Sequence, residues 1–471
     1  MKIGGNMRYL ILALFITFLN VYSTDIYEGS VSGVWTVENS PYNIYGNVTV
    51  DNTELLTIEA GVEVIFKGHY YINVEGQILA QGTNENYVEF YPSDQFEGWL
   101  GIRFFDTSQE NEMSEFDFCD FSYGNATVAP SGFEFRHGGA IFISNYSKVL
   151  IRNSNFSENR ARSGGAIGLR NGASPTIINN FFNNNHAQGE SSGWGGAIVF
   201  AIDCSPIIQN NIFKDNIASG NNYAGGGAIH FEDNCNPEIV NNLIIDNNVL
   251  CIYGSGSAIY CHSSSGYIVN NTITNNRSIY EEGITLVSTD IKIYNNIIWN
   301  NLPYSNPGLS AEIRLKNGSN VIISNNNIKN DINGIIVDKG SNIELFENNI
   351  SGNPDFINMN NYSLQNNSPC IDAGYMEIPG FQLPELDILG NSRVVGSIVD
   401  MGAYENTQTL NVNNNSNIIT EANLKQNYPN PFNPVTRINY ELGITNYELA
   451  KIVVYNSRGQ KVWFSSITDH A

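Results

Sequence analysis

The sequence predicts an all-β chain that is mainly a solenoid of short parallel strands, a parallel β-helix, and three observations support this prediction. A Gly-Gly-Ala-Ile motif recurs at intervals of 26, 31, 31 and 30 residues, and a fixed period of this length is typical of stacked repeats. A column of asparagines recurs downstream of the motif with a similar period. Apolar residues alternate in short runs punctuated by glycine, and no segment keeps a helical period.

The first 23 residues are typical of an export signal. Lys2 and Arg8 form a short positive region, and an apolar run follows at 9–19. A helix that crosses a bilayer needs roughly 20 apolar residues, so this run is too short to be one. We predict a signal peptide over 1–23 and no integral membrane span after its removal; an uncleaved anchor is the alternative.

The charge of the chain limits its partners. There are 46 acidic residues against 23 Lys and Arg, which gives a net charge of -23. Nucleic acids and anionic membranes bind to cationic surfaces, so we expect no nucleic-acid partner. An acidic surface of this kind is compatible with a secreted protein that stays soluble by charge repulsion.

Six cysteines in an exported chain could form disulfides. Cys204 and Cys235 each precede a proline by two residues and therefore occupy one column of adjacent repeats. Stacking in register points both Cβ atoms the same way, so we expect reduced, packed thiols rather than a disulfide. The spacing of the other cysteines does not fit a structural zinc site.

Residues 24–135 are predicted to form the N-terminal cap and the first coils. Short apolar runs punctuated by glycines lie here, which is the pattern of many short strands. These runs are 48–50, 55–58, 62–66, 72–74 and 78–80.

Residues 136–351 carry the repeats. The Gly-Gly-Ala-Ile motif, which decays to Gly-Ser-Ala-Ile in its last copy, begins at Gly138, Gly164, Gly195, Gly226 and Gly256. A phosphate-binding glycine loop opens a helix, whereas this motif precedes a strand and recurs once per repeat. We therefore predict that the glycine pair forms a corner at which Cβ atoms would collide.

The asparagine column predicts a second corner. Its members stand at the third position of an Ile-x-Asn-Asn-x-Ile-x-x-Asn pattern or a close variant: Asn153, Asn179, Asn210, Asn241, Asn270, Asn295, Asn325 and Asn348. Asparagine tolerates the left-handed backbone conformation that a tight turn requires. Stacked carboxamides can also bond from one coil to the next, as they do in cross-β stacks. We expect this column to form both the turn and a ladder of side-chain hydrogen bonds.

On these motifs, residues 30–405 resemble the right-handed parallel β-helix repeat proteins of secreted and surface-attached bacterial origin. The resemblance implies a right-handed, pectate-lyase-like solenoid. It does not select an activity, because that fold carries pectin and alginate lyases, polygalacturonases, adhesins and passive surface proteins.

The last 120 residues change character twice. Residues 352–405 resemble the closing segment of many surface β-helices, and we predict that they cap the apolar end of the solenoid. Asp372, Asp400 and Glu405 in this segment could be metal ligands, although acids at turns usually cap the backbone. Residues 406–422 are a polar linker.

Residues 423–471 resemble the C-terminal sorting domain of the type IX secretion system, a small β-sandwich. The Tyr-Pro-Asn-Pro-Phe-Asn-Pro motif at 428–434 carries this resemblance, and the chain stops at Ala471, before the last strands of such a sandwich. The resemblance implies a truncated domain, the type IX machinery as a partner, and a location in the medium or on the outer surface of a Gram-negative bacterium.

A candidate site follows from aligning the strands after each Gly-Gly-Ala-Ile motif. With isoleucine inward and the next residue outward, one outer column contains Phe142, Gly168, Val199, His230 and Tyr260. The next outer column contains Ser144, Arg170, Ala201, Glu232 and His262, and Asp203 stands in a nearby turn.

Two interpretations of this face remain open. As a glycan site, Phe142, His230, Tyr260 and Arg170 are the candidate ligand-binding residues, and Arg170, Asp203, Glu232 and His262 the candidate catalytic ones. In a hydrolase two carboxylates flank the bond; in a lyase Arg170 or His262 would abstract a proton, with calcium as a possible cofactor. No dense carboxylate cluster suited to calcium is visible, so we expect no metal. In the other interpretation, this face is a mixed polar and apolar surface that contacts only solvent.

A basic run lies in this acidic chain. Six of the 23 Lys and Arg residues fall within 136–170, namely Arg136, Lys148, Arg152, Arg160, Arg162 and Arg170. His137 lies in the same run. These residues could bind an acidic polysaccharide such as a uronate polymer. They could equally neutralise the acidic stretch at 112–120.

The sequence thus favours a secreted or cell-surface β-helix protein with a structural, adhesive or glycan-binding role. An extracellular polysaccharide or cell-surface glycan is the expected partner. The alternative function is a polysaccharide lyase or glycoside hydrolase acting on acidic polysaccharide.

Overall fold

The computed structural model describes residues 23–105, 107–128, 134–279, 282–303 and 311–407, and the backbone of four strands beyond residue 422. The export signal predicted over 1–23 lies outside these residues except for Ser23. Contacts divide the chain into two units, Met1–Leu410 and Asn411–Ala471.

The first unit is a parallel β-helix in which each coil gives one strand to each of three long parallel sheets, as the sequence predicts. Sheet 1 consists of Thr24–Ile26, Tyr42–Ile44, Glu63–Phe66, Val88–Pro92, Cys119–Ser122, Asn155–Ser157, Phe181–Asn183, Ile212–Lys214, Leu243–Ile245, Thr272–Thr274, Ile297–Trp299 and Asn327–Ile328. Sheet 2 consists of Gly29–Ser30, Val48–Val50, Ile72–Val74, Ile102–Phe104, Ile141–Ser144, Ile167–Arg170, Ile198–Ala201, Ile229–Glu232, Ile259–His262, Ile284–Val287, Ile313–Lys316 and Ile335–Val337. Sheet 3 consists of Gly33–Trp35, Leu55–Glu59, Gln77–Gln81, Ser114–Asp117, Val149–Arg152, Thr176–Ile178, Ile207–Gln209, Glu238–Val240, Ser265–Val269, Asp290–Tyr294, Asn320–Ser324 and Asn342–Glu347.

Two smaller parallel sheets lie between sheets 1 and 2 along the chain. The corner sheet follows sheet 1 and consists of Asn125–Ala126, Arg160–Ala161, His186–Gly189, Ile217–Gly220, Asn248–Leu250, Arg277–Ser278 and Leu302–Pro303. The flap sheet stands just before the glycine corners and consists of Ser192–Trp194, Tyr223–Gly225 and Tyr253–Ser255. Short 3₁₀ turns are described at Val37–Asn39, Glu134–Arg136 and Asp331–Gly334.

Inward side chains stack in columns along the solenoid. In sheet 1 five phenylalanine rings lie 4.8 to 4.9 Å apart, centroid to centroid, and all are fully buried: Phe90, Phe121, Phe156, Phe182 and Phe213. This distance equals the spacing of paired strands, so the sheet geometry itself sets the stack. All six cysteines are buried free thiols, including Cys204 and Cys235.

The glycine corners are confirmed. The first glycine of each motif has a left-handed backbone, with φ between 59° and 67°. A Cβ there would lie 2.0 to 2.3 Å from the carbonyl oxygen of the isoleucine of the same motif. A Cβ on the second glycine of the first four motifs would lie 2.0 to 2.5 Å from a carbonyl of the next coil. Both positions therefore require glycine, except where the last motif has Ser257.

The asparagine turn is confirmed. Among the described residues the predicted column contributes one ladder bond, from Asn295 Nδ2 to Asn270 Oδ1 at 3.2 Å, and the continuous ladder is made by the neighbouring residue. Every member of the predicted column is left-handed, with φ between 51° and 58°. Its side chain consequently points away from the core, and the next residue points inward. Those inward carboxamides bond Nδ2 to Oδ1 over 2.9 to 3.1 Å along Asn180, Asn211, Asn242, Asn271, Asn296, Asn326 and Asn349.

A second buried ladder runs along the turn between sheet 1 and the corner sheet. It joins Asn159, Asn185, Asn216, Asn247, Asn276 and Asn301 by Nδ2 to Oδ1 bonds of 2.8 to 3.0 Å. It ends on Glu312, whose Oε2 accepts from Asn301 Nδ2 at 2.7 Å. Burial raises the pKa of Glu312 to about 7.

The segment 352–405 does not cap the last coil as the sequence predicted. It folds back along the flank of the solenoid, over the outward asparagine column, and includes the antiparallel pair Phe356–Asn358 and Asn361–Leu364. Leu386 and Tyr375 accept hydrogen bonds from Asn241 and Asn295. Apolar side chains on the flank explain this course, because Leu243, Ile245, Ile297 and Val269 pack under the segment.

A buried polar network fixes this flank segment (residues 352–405) internally. Arg393 donates to Glu405 at 2.8 Å, and both side chains are 1% exposed. Glu405 and Asp400 accept backbone N–H groups, and so does Asp387. The acids at 400 and 405 thus cap the backbone, the role that acids at turns usually take.

In the second unit two antiparallel strand pairs are described. Asn423–Leu424 pairs with Tyr440–Glu441, and Lys451–Tyr455 pairs with Lys461–Ser466. The motif at 428–434, which carries the sorting-domain prediction, lies outside the described residues. Among the described residues there is no helix long and apolar enough to cross a membrane.

Candidate functional site

The two outer columns predicted on sheet 2 are in register. Phe142, Gly168, Val199, His230 and Tyr260 are consecutive partners in neighbouring strands. The second column follows the same pairing two residues later, and contains Ser144, Arg170, Ala201, Glu232 and His262. Alternation along the strand sends both columns away from the core.

The first of these columns is nevertheless covered. Phe142 and His230 are each 1% exposed and Val199 is 6% exposed. The residues just before each glycine corner form a parallel row that lies over them: His137, Ser163, Trp194, Gly225 and Ser255. The ring centroids of His137 and Phe142 are 6.1 Å apart, for example. Phe142 and His230 are therefore part of a second packed layer and not an open sugar-stacking surface.

His230 is held between two aromatic rings. Its imidazole stacks on Tyr260 with centroids 5.0 Å apart and a 7° interplanar angle, and Trp194 lies 4.9 Å away on a tilted plane. Its Nε2 lies 3.4 Å from Oε2 of Glu232. This contact with His230 lowers the pKa of Glu232, and His262 and Arg170 act in the same direction. The Glu232 carboxyl group is therefore held in its ionised form.

A cleft of about 350 Å³ opens where the second outer column emerges beside the covering row. Three arginines from successive parts of the chain line it, namely Arg136, Arg162 and Arg170, together with His137 and Trp194. Glu232 is the single carboxylate among the described lining residues. We call this site the arginine cleft.

The structure divides the basic run between the two roles that the sequence left open. Arg152 makes ion pairs with Glu115 at 2.7 Å and with Asp117 at 2.8 Å, and so neutralises the acidic stretch. Lys148 and Arg160 donate to backbone carbonyls. Arg136, Arg162 and Arg170 instead line the cleft.

The remaining predicted site residues lie apart from the cleft lining. Asp203 is exposed in a left-handed turn and accepts from Asn234 Nδ2 at 2.6 Å. His262 is half-buried beside Ser263, three coils beyond Arg170 and one coil beyond Glu232. Tyr260 packs against His230 and Trp194. The structure thus brings together Arg170 and Glu232 of the predicted catalytic set, without a second carboxylate among the lining residues that it describes.

The sequence-based prediction missed Trp194, and it grouped Arg136 and Arg162 with Arg170 only as members of one basic run, without placing them in a common cleft. The signal that identifies them is positional, because Arg136 and Arg162 stand two residues before a glycine corner and Trp194 one residue before the next. Residues at the same offset from a repeated corner occupy neighbouring coils, so they meet in space.

The donor set of the cleft does not fit calcium. Ca²⁺ binds six to eight oxygen ligands, whereas the cleft offers guanidinium groups, an imidazole and one carboxylate. In the part of the chain that the structure describes, no group of three or more His, Cys, Asp or Glu side chains could hold a metal ion. Guanidinium groups instead form paired hydrogen bonds with carboxylate, sulfate or phosphate groups.

One family model matches the chain. It is described as a right handed beta helix region and matches residues 101–291 and 252–368. These matches together span 101–368, which is more than half of the 471 residues. No curated protein matches the chain.

Proposed function

We propose that this chain, which belongs to the right-handed β-helix family, binds an acidic polysaccharide in the arginine cleft. The observation that carries the proposal is the convergence of Arg136, Arg162 and Arg170 in one cleft of a chain with net charge -23. A cationic cleft attracts anionic ligands, whereas the acidic surface of the rest of the molecule repels them. The repeating carboxylates of a uronate polymer match several guanidinium groups at once.

The side chains of the cleft support ligand binding and do not by themselves require a catalysed reaction. Those of Arg136 and Arg162 make no hydrogen bond or ion pair with any residue that the structure describes, so their donors are available to a ligand. Trp194 gives the cleft an aromatic wall beside them. Its rigid ring offers an apolar surface for one face of a sugar.

Calorimetric titration with an oligogalacturonate of defined length tests the proposal. We expect Arg162→Gln and Arg136→Gln each to weaken binding at least about tenfold, because a hydrogen bond to a charged group contributes about 1.5–3 kcal/mol. Lys214→Gln is the matched control, since it removes one exposed positive charge from sheet 1. Raising the salt concentration should also weaken binding. The proposal fails if no acidic oligosaccharide binds, or if the control variant loses as much affinity.

A lyase is the second candidate, and Glu232 favours it because an ionised carboxylate lies in the same cleft. A lyase would release unsaturated sugars that absorb in the ultraviolet. If absorbance rises with the wild-type protein and not with the Glu232→Gln variant, the protein is a lyase and not only a binding protein. Binding without such a product would exclude this candidate.

We also propose that the protein is exported and reaches the cell surface or the medium through the type IX system. The signal at 1–23 and the motif at 428–434 support this. Surface labelling of a type IX-competent Gram-negative host should detect the full chain. A chain that lacks 423–471 should remain in the periplasm; equal surface labelling of both would contradict the proposal.

A further inference from the structure

A groove lies on the flank of the solenoid, opposite in character to the arginine cleft. It encloses about 410 Å³ and is lined by asparagines and apolar side chains. Asn153, Asn179 and Asn210 line it together with Phe181 and Ile212, and Leu389 of the flank segment also contributes to the lining. Phe181 is 36% and Leu389 64% exposed.

The floor of this groove continues an interface that already exists within the molecule. The same left-handed asparagine column runs under the flank segment, where its carboxamides bind main-chain atoms. Asn241 Nδ2 donates to Leu386 O at 2.9 Å, and Asn270 Nδ2 donates to Asp400 O at 2.9 Å. Asn295 binds both main-chain polar atoms of Tyr375. Its Nδ2 donates to Tyr375 O at 2.9 Å, and its Oδ1 accepts from Tyr375 N at 2.7 Å.

The covered part of the column thus binds irregular peptide backbone through side-chain to main-chain hydrogen bonds. Asn241 is the last member of the column that bonds to the flank segment. The next three members toward the N-terminus, Asn210, Asn179 and Asn153, line the open groove. In this part Asn210 Oδ1 is inaccessible to solvent and has no hydrogen-bond partner among the residues that the structure describes. A buried carbonyl oxygen without a partner is costly, and in Asn295 the same atom accepts a peptide N–H.

We propose that the groove over Asn153, Asn179 and Asn210 binds a short extended peptide, which continues the track of the flank segment. Rotation of the Asn210 side chain brings its carboxamide to peptide N–H and C=O groups, and apolar side chains of the peptide contact Phe181, Ile212 and Leu389. Neighbouring coils are about 4.8 Å apart, so the three open asparagines span about 10 Å, the length of three extended residues. The ligand is recognised mainly through its backbone, as the flank segment is.

The probe for this site is a synthetic fluorescent decapeptide that copies residues 371–380, which include the Tyr375 backbone clamped by Asn295. Its binding to the intact protein is followed by fluorescence anisotropy. We expect Asn210→Gly to raise the Kd at least fivefold, because glycine keeps the left-handed turn and removes the carboxamide. Asn171→Gly is the matched control, since Asn171 has the same φ of 55° in an exposed turn beyond sheet 2.

Two further arms separate a peptide from other occupants. A decapeptide with N-methylated amides keeps its side chains, and it should bind at least fivefold more weakly if backbone groups are recognised. A neutral hexasaccharide should not displace the labelled peptide. The proposal is overturned if the peptide does not bind, if Asn210→Gly and Asn171→Gly have equal effects, or if the hexasaccharide competes in an Asn210-dependent way.

Discussion

Individual residues at the corners decide where this chain turns. Glycine is required at the first position of the Gly-Gly-Ala-Ile motif because both the backbone conformation and the neighbouring carbonyl exclude a Cβ. Asparagine at the second corner needs only the left-handed conformation, which Asn adopts more readily than other residues with a side chain. These local requirements are the reason why the repeats are visible in the sequence.

At the residue scale, Gly195→Ala should destabilise the protein far more than Gly172→Ala. Both glycines have positive φ, 66° and 81°. A Cβ at Gly195 would lie 2.1 Å from Ile198 O, whereas a Cβ at Gly172 meets nothing within 4 Å. Urea unfolding should show a loss of about 1 kcal/mol for Gly172→Ala and at least ~2 kcal/mol more for Gly195→Ala. Equal losses would show that the clash is relieved by backbone movement.

The elements of the fold are joined by asparagine ladders as well as by strand pairing. Each inward asparagine satisfies backbone and side-chain groups of its neighbours inside the turn. Asn216, for example, accepts from Asn185 and donates to Phe182 O and Asn247. The ladders therefore compensate buried polar groups at corners that strand pairing leaves without partners.

At the element scale, Asn216→Ala should cost about 2–4 kcal/mol of unfolding free energy, because it leaves buried donors and acceptors without partners. Asn184→Gly is the control, since Asn184 is exposed and left-handed in the adjacent turn. That substitution should change stability by less than ~0.5 kcal/mol. Chemical denaturation of the two variants compares them, and a small effect of Asn216→Ala would mean that water replaces the ladder bonds.

The whole molecule combines a solenoid with a segment that returns along its flank, and buried carboxyl groups lie in both parts. Burial raises the pKa of Glu312 in the solenoid to about 7. Burial, assisted by Glu405, raises the pKa of Asp400 in the flank segment to about 7. Each group binds its proton more tightly in the folded chain than in the unfolded chain.

At the scale of the whole molecule, stability should therefore decrease from about pH 4 to pH 7. A carboxyl group with a raised folded pKa contributes fully below its unfolded pKa near 4, and the contribution is lost as the pH rises through 7. The loss should be on the order of 2–4 kcal/mol per group. Urea unfolding at several pH values should give a flatter profile for Glu312→Gln and for Asp400→Asn, and an unchanged slope for the exposed Asp290→Asn. A profile that both buried-site variants leave unchanged would contradict this assignment.

Sequence patterns were sufficient for the coils and their register. Phe142, His230 and Tyr260 were aligned correctly from the motif alone, because strand residues alternate with period 2 and coils stack at a fixed distance. The ladder was predicted one residue too early, since a left-handed residue such as Asn210 turns its own side chain outward and its successor inward. That difference depends on backbone geometry and not on residue type.

The sequence by itself determined the parallel β-helix, its glycine and asparagine corners and the outward columns of sheet 2. Only the tertiary structure decided what covers these columns. The row from His137 to Trp194 folds over Phe142 and His230 and gathers Arg136, Arg162 and Arg170 into one cleft. The flank segment likewise lies along the asparagine column and not across the end of the solenoid. Repeats specify contacts between equivalent positions of neighbouring coils, whereas these two coverings depend on which apolar surface each non-repeating segment can bury.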